Sequence, residues 1–574
     1  MRKLETREKR ARVCERARAC EVMAKTRRKE TKRAQLQGAA MIESSSSARL
    51  VRLVLIQVAV IVAGLVAQKY SGSWGTTPGL ARQPKYEACG FGTQSGSESG
   101  SGVAATRFAL YSERVVTPQG TFPATVGVEN GVIVSIQRGK VPTDHRVGEE
   151  GTRTKTTKTF FDYGNLIISP GMIDLHVHVN EPGRETWEGF RTATAAAAAG
   201  GVTSLFDMPL NSKPAAVTGV ILREKVRVAR DKLHVDVGFW GGLVPENADG
   251  KELLAMLDVG AVGFKAFMSP SGIDDFGNCN ETHLTSGLRV LSRFSKPLMV
   301  HAEVPFDVEL DAGASPREYG TYMRTRPGQF EVDAIRLLFK ISKGLSRENV
   351  AHKIHVAHVS HSKILDEVQV FKNKILKSAV SFTVETCPHY LFFESESIPD
   401  GATQYKCAPP IRDAKNRKDL WNYLRKGTIN TIGSDHSPSP PDLKHLETGN
   451  FLKAWGGIAG LQYSLPATWT AASELGASIE DMAEWWSYAP AAIVGLADRG
   501  AIEVGKKADF VVWDDRARTE TGKDKLFHRH KLSPYNGLDM KGKVEASFVS
   551  GHLVFSDGQV SDDRCGRIIR SFHT

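Results

Sequence analysis

Between residues 169 and 496, short apolar runs alternate with segments long enough to be helices, and this alternation limits the fold more than any other feature. The apolar runs are Met172–Val179, Thr203–Asp207, Val262–Phe267, Pro297–His301, Lys353–His358 and Ile429–Gly433. Repeated strand–helix units imply a parallel sheet, because a strand must cross back over the sheet to pair in the same direction. A closed (β/α)8 TIM-type barrel suits this length. A doubly wound sheet is the alternative, but no glycine-rich phosphate loop follows the first strand. On both sides of this region the pattern changes to short β-like runs broken by Gly, Pro and Asn. Residues 105–168 hold Phe108–Tyr111, Thr125–Val128 and Gly131–Ile136; residues 497–574 hold Ala508–Trp513 and Ala546–Phe555, with a turn at Ser550-Gly551. These flanks are expected to pair into one small β-sandwich domain built from both ends of the catalytic body. With 41% hydrophobic and 24% charged residues, the chain has material for a large core.

The polar residues that end these runs carry the chemistry. In Gly171-Met-Ile-Asp-Leu-His176-Val-His178-Val, strand alternation puts Asp174, His176 and His178 on one face. Two imidazoles so placed at a strand's C-terminal end can reach one metal ion, on the face where barrel active sites form. A lone His-x-His pair is weak, since most histidines are simply hydrogen-bonded or exposed. The later runs add to it. Lys265 stands inside an apolar strand, where an unpaired ammonium is costly and needs a partner or a modification. His301, His358 and Asp435 each follow an apolar run. Imidazole and carboxylate donors without thiolate suit zinc, with Fe, Co, Ni and Mn open. Such ions could lower the pKa of a shared water toward neutrality, and a carboxylate could take its proton and pass it to a leaving nitrogen.

These motifs resemble the amidohydrolase superfamily in its cyclic-amidase branch, from Tyr111 to Phe555. The resemblance implies a barrel joined to a small β-sandwich, and a ligand set on His176, His178, Lys265, His301, His358 and Asp435. It implies that His176, His178 and Asp435 hold one metal and His301 and His358 the other. Lys265, as a carbamate derived from CO2, would bridge the two, and Asp435 would also serve as the catalytic base. Within the branch, several runs are similar to the allantoinase family: Asn180-Glu-Pro-Gly-Arg-Glu185, Asp207-Met-Pro-Leu-Asn211, Glu385-Thr-Cys-Pro-His-Tyr390, Ala408-Pro-Pro-Ile-Arg412 and Lys453-Ala-Trp-Gly-Gly-Ile-Ala-Gly460. That implies hydrolysis of the hydantoin-ring amide of (S)-allantoin to allantoate in purine catabolism. Dihydroorotases carry a carboxylate-gripping arginine where this chain has Asn180, which favours a neutral ring, although Arg184 lies close by. Asn211 and Ser437 are the expected substrate contacts, and Ala408 could contact substrate only through its backbone. His389 and His436 are expected to be structural. A hydantoinase or dihydropyrimidinase is the second reading, and a non-catalytic scaffold relative the third. The family implies a homo-oligomer, a tetramer by resemblance.

Of the formal net charge of +11, residues 1–49 supply +9, with 15 Lys and Arg against 6 Asp and Glu. The body is near neutral, which argues against a nucleic-acid partner. Residues 50–67 are apolar apart from Arg52 and Gln57, close to the roughly 20 residues of a bilayer span. With basic residues on its N-terminal side, this segment is expected to be a signal-anchor that places the body at the endoplasmic reticulum membrane or in its lumen. A cleaved signal, especially if Met41 is the start, is the alternative. Residues 68–104 are a Gly/Ser-rich linker. The 7 cysteines include no Cys-x-x-Cys pair and are expected to be mostly free, buried thiols.

Overall fold

The computed structural model describes residues 107–141, 159–375 and 379–571. The expected tail, signal-anchor and linker at 1–49, 50–67 and 68–104 lie outside them. Among the described residues, no helix is long and apolar enough to cross a membrane.

The chain opens with β1 (Arg107–Thr117), β2 (Gly120–Glu129), β3 (Val132–Arg138), β4 (Thr159–Asp162) and β5 (Ile167–Pro170). Eight parallel strands follow: β6 (Met172–Val177), β7 (Val202–Asp207), β8 (Asp236–Gly242), β9 (Gly263–Phe267), β10 (Pro297–His301), β11 (Lys353–Val356), β12 (Ser381–Thr386) and β13 (Thr431–Ile432). They pair in sequence order. The ring closes where Val177 bridges His436 and the His178 N–H donates to the His436 carbonyl at 2.8 Å. This is a (β/α)8 barrel. Its helices cover the outside; Gln329–Arg347, for example, buries Phe330, Ile335, Leu338, Phe339 and Leu345, the three-to-four spacing of one helical face. Sequence patterning identifies six of the barrel strands and misses β8 and β12. Both lack a continuous apolar run: β8 is diluted by Gly238, Gly241 and Gly242, and β12 alternates Ser381, Thr383 and Glu385 with apolar residues.

The chain then returns through β14 (Phe510–Thr519), β15 (Met540–Val549), β16 (His552–Ser556) and β17 (Gln559–Val560). With β1–β5 they form one nine-stranded sheet, in which β14 pairs antiparallel with β5, and β5 pairs parallel with β1. The Phe108 ring on β1 stacks 5.9 Å from Phe548 on β15, although those strands are not neighbours in the sheet. The sheet therefore curls onto its own core of Leu110, Val126, Ile168, Phe510 and Val512. Each such buried side chain contributes about 1.5–3 kcal/mol relative to exposure. The sandwich-like domain is thus one continuous sheet drawn from both ends of the body.

After β17 the chain leaves the sheet and reaches the floor of the barrel. Ile568 bridges Val237, the Ile569 N–H donates to the Val237 carbonyl at 2.8 Å, and Val237 N–H donates to Arg567 at 2.9 Å. Ile569 is buried inside the barrel with Ile173, Leu175, Phe206, Trp240 and Met299. Beside it, the Arg499 Nη1 donates to Ser204 Oγ and Asp236 Oδ2, both at 2.8 Å, and lies 3.9 Å from Asp509. Cys279, Cys387 and Cys407 are free and buried, as expected for most of the cysteines, while Cys565 is disulfide-bonded.

Candidate metal centre

The C-terminal strand ends bring all six predicted ligand residues together, and all are buried. Asp435 Oδ1 lies 3.4 Å from both His176 Nε2 and His178 Nε2. One ligand atom from each of these residues falls within 4.8 Å of the others, close enough for a single ion. The other two histidines approach each other, His301 Nδ1 to His358 Nε2, at 3.0 Å. The His176 and His358 ring centroids are 5.2 Å apart, so the two groups share one floor.

Carboxylates behind the rings fix which nitrogens face that floor. Glu385 Oε1 is 2.8 Å from His176 Nδ1, and Glu303 Oε2 is 2.7 Å from His301 Nε2. Each anionic carboxylate accepts a hydrogen bond from the ring N–H beside it, leaving the opposite nitrogen with its lone pair free. Burial alone would raise both acids, but Glu303 is held down to about 2 by Arg326 and His301, and Glu385 to about 2 by His176 and His355. They stay anionic. Asp435 is likewise held well below the usual carboxylate range, burial being outweighed by His176, His178 and His358. Burial, followed by Lys265, pushes His358 well below the ordinary histidine value, so it is a neutral donor. His358 and Asp435 have φ of 38° and 42°, left-handed conformations that are strained for such residues and that turn their side chains inward.

Two observations test the fit of divalent cations. With the His301 tautomer set by Glu303, its Nδ1 lone pair faces His358 Nε2 at 3.0 Å, close enough for both nitrogens to reach one cation. Lys265 Nζ is fully buried and meets no hydrogen-bond partner. Burial pulls its amine down to about 8. Buried polar groups are normally paired, so an orphaned nitrogen at this floor marks a site whose partner is not protein. The donor set fits a divalent metal.

Above the floor opens a cavity of about 210 Å³ lined by His176, His178, His301, His358 and Asp435 and walled by Asn211, Ser437, Arg326, Ala408 and Trp455–Gly457. Asn211, with φ of 67°, contacts His178 Nδ1 through Nδ2 at 3.3 Å. Ser437 Oγ donates to Asp435 Oδ1 at 3.0 Å. Both expected substrate contacts therefore stand on the wall. Gly456 N–H and C=O meet no protein group among the described residues. A Cβ there would meet nothing within 4 Å, so there is open space beside this residue. Arg184 is not part of the wall: it lies over the Trp187 ring and donates to the Asn211 carbonyl at 3.2 Å. Asn180, buried, donates to the Pro438 carbonyl at 3.3 Å. His436 is fully buried beneath the site: its Nδ1 accepts from Gly460 N–H at 3.3 Å, and its carbonyl closes the barrel. His389 is buried without a partner for Nε2 and does not line the cavity. Sequence reasoning missed Glu303, Glu385, Arg326 and Gly456. An acid two residues after a ligand histidine, as in His301-Ala-Glu303, was the signal available for the first.

Residues 167–554 match the amidohydrolase family model. The chain belongs to the amidohydrolase family. An allantoinase of Arabidopsis thaliana is 46% identical over 80% of this amidohydrolase and 90% of the relative. An allantoinase of Streptomyces avermitilis is 43% identical over 80% of this chain and 98% of its own. Among solved structures, the L-hydantoinase (dihydropyrimidinase) of Arthrobacter aurescens superposes with a TM-score of 0.71 at 26% identity, covering 81% of this amidohydrolase and 99% of that chain.

Proposed function

We propose that this amidohydrolase is an allantoinase, opening the hydantoin ring of (S)-allantoin to allantoate. The carrying observation is the convergence of His176, His178 and Asp435 with the His301–His358 pair and the orphaned Lys265 under one small cavity. Likeness to allantoinases across most of the chain supports the substrate.

His176, His178 and Asp435 would hold one divalent ion and His301 and His358 a second, zinc being the proposed metal. Lys265 would join them as a carbamate: its neutral amine attacks CO2, the N–C bond forms, and one proton leaves. That turns a costly buried ammonium into an anionic ligand. When bound, such ions polarise a carbonyl and make water acidic enough to attack at neutral pH. The rest falls to this chain's own side chains. The Asp435 carboxylate takes the proton of the attacking water and returns it to the departing ring nitrogen. Ser437 Oγ, donating to Asp435 Oδ1, holds that carboxylate in place. The ring amide has a donor beside an acceptor, and the unpaired N–H and C=O of Gly456 can meet both. Buried polar edges need such partners. Asn211 also lines the cavity.

The test is allantoate formation by the full chain supplied with zinc and bicarbonate, with and without a chelator. Chelator-sensitive hydrolysis of allantoin in preference to hydantoin and dihydrouracil is expected. Turnover of hydantoin or dihydrouracil alone would overturn the substrate and leave the site.

A further inference from the structure

The loop Leu452–Gly457, whose Trp455, Gly456 and Gly457 wall the cavity, is fastened by two buried lysines that take no part in the metal centre. Lys406 Nζ donates to the carbonyls of Leu452 at 3.2 Å and Ala454 at 2.6 Å, and the Lys406 carbonyl accepts from Gly457 N–H at 2.8 Å. Lys444 Nζ donates to the carbonyls of Trp455, at 3.0 Å, and Gly457. Within this stretch only Lys453 and Gly456 keep carbonyls clear of the two ammoniums.

Neither lysine has a carboxylate counter-ion among the described residues. Burial draws Lys444 down to about 7 and Lys406 to about 8, and each also lies close enough to another cation to be lowered by it. The Lys406 ammonium sits 4.8 Å from the Tyr322 ring centroid. Burying two amines without an anion works against stability. What both amines share is one loop, and its Trp455–Gly457 end is a wall of the cavity.

Geometry says what the arrangement does. Lys444 lines a separate small cavity with Pro438 and His530 and does not line the one over the metal floor, whereas Gly457 lines both. The Trp455 carbonyl is turned toward Lys444. In a planar trans peptide the following N–H points the opposite way. Gly456 N–H is therefore directed into the cavity, and the flanking Gly457 carbonyl, also held by Lys444, is kept out of it. We infer that Lys406 and Lys444 are positioning residues of the substrate site, aiming the peptide groups around Gly456 and so setting affinity for a cyclic ureide. The substrate class rests on the function proposed above; the positioning rests on the hydrogen bonds alone.

The test uses the full-length, metal-loaded chain and the variants Lys444→Met, Lys444→Arg and Lys406→Met, with KM, kcat, metal content and melting temperature measured for each. Losing one such aimed hydrogen bond is worth about tenfold in KM. Lys444→Met is expected to raise KM by that factor while kcat stays within about threefold, the signature of lost ground-state binding. Metal content is expected to be unchanged and Lys444→Arg to recover part of the affinity. Lys406→Met, which leaves the Trp455 and Gly457 carbonyls on Lys444, is expected to have the smaller effect in the same direction. Unchanged KM in the folded variants, or kcat and metal content falling together, would overturn the inference. Should Lys444→Met fail to fold, the arginine variant and Lys406→Met carry the same comparison. A wild-type chain inert toward allantoin but active on hydantoin overturns the substrate reading, and KM for hydantoin then decides the role of the lysines.

Discussion

The two ends of the barrel are made from the same eight strands and treat buried charge in opposite ways. At the N-terminal ends, Arg499 is met by Asp236, Ser204 and, a little farther off, Asp509, and the returning chain pairs with Val237. At the C-terminal ends, Lys265 Nζ and His358 Nδ1 are buried without partners, and His358 and Asp435 sit in strained left-handed conformations. One rim is arranged to hold the fold and the other carries a group suited to a divalent metal. Unpaired groups and strain persist only where the surrounding structure over-determines them. Here the closed ring of strands and its filled floor do so.

Replacing Asp435 by Ala should separate the rims most sharply: turnover is expected to fall roughly 10²–10⁴-fold, as for loss of a general base, while the melting temperature holds or rises. A large drop in melting temperature would show that the upper rim also supports the fold. Arg499→Met is the reciprocal change. It strands buried carboxylates, so chemical denaturation should show a loss of about 3–5 kcal/mol, with kcat per folded molecule unchanged. Ile569→Ala should cost about 2 kcal/mol by the same measurement, the low end for such truncations, since the backbone pairing to Val237 remains. The smallest effect concerns pH. Burial raises the Asp509 carboxyl from its ordinary 3.8 to about 6. Between those values the folded protein binds more protons than the unfolded chain, so this group's contribution to stability falls as pH rises from about 4 to about 6. Melting curves across that window should show the slope in the wild type and a flatter one in Asp509→Asn. An unchanged slope would assign the window to other groups.

What the sequence discloses follows the same division. His176 and His178 are legible because a two-residue period at a strand end puts both imidazoles on one face of the sheet. Lys265 is legible because an ammonium inside an apolar run demands a partner or a modification. Asp174 shares their face in sequence, yet its carboxyl accepts from His176 N–H at 3.0 Å and Ser434 N–H at 3.1 Å and is pushed up to about 7 by burial. It braces the turn before Asp435 instead of facing the cavity. Glu385 is hidden because β12 is too polar to stand out as a barrel strand. Gly456 is hidden because its contribution is a peptide group, which every residue has. Lys406 and Lys444 look like surface lysines until tertiary packing buries them. The sheet domain is legible strand by strand, but its continuity depends on β5 pairing with β14, a contact no local pattern encodes.

That pairing sets an order of events during synthesis. Every metal-ligand candidate, up to Asp435, is translated before Phe510, where β14 begins. β5 therefore emerges early and waits for β14, with the apolar faces of Ile167 and Ile168 uncovered, and the barrel floor waits longer still, for Ile569. Long-range pairings of this kind slow folding and leave apolar surface exposed in the interval. A nascent chain halted before Phe510 would own every candidate metal ligand and lack the frame that holds its strained residues in place, so residues translated later decide whether those translated earlier can work.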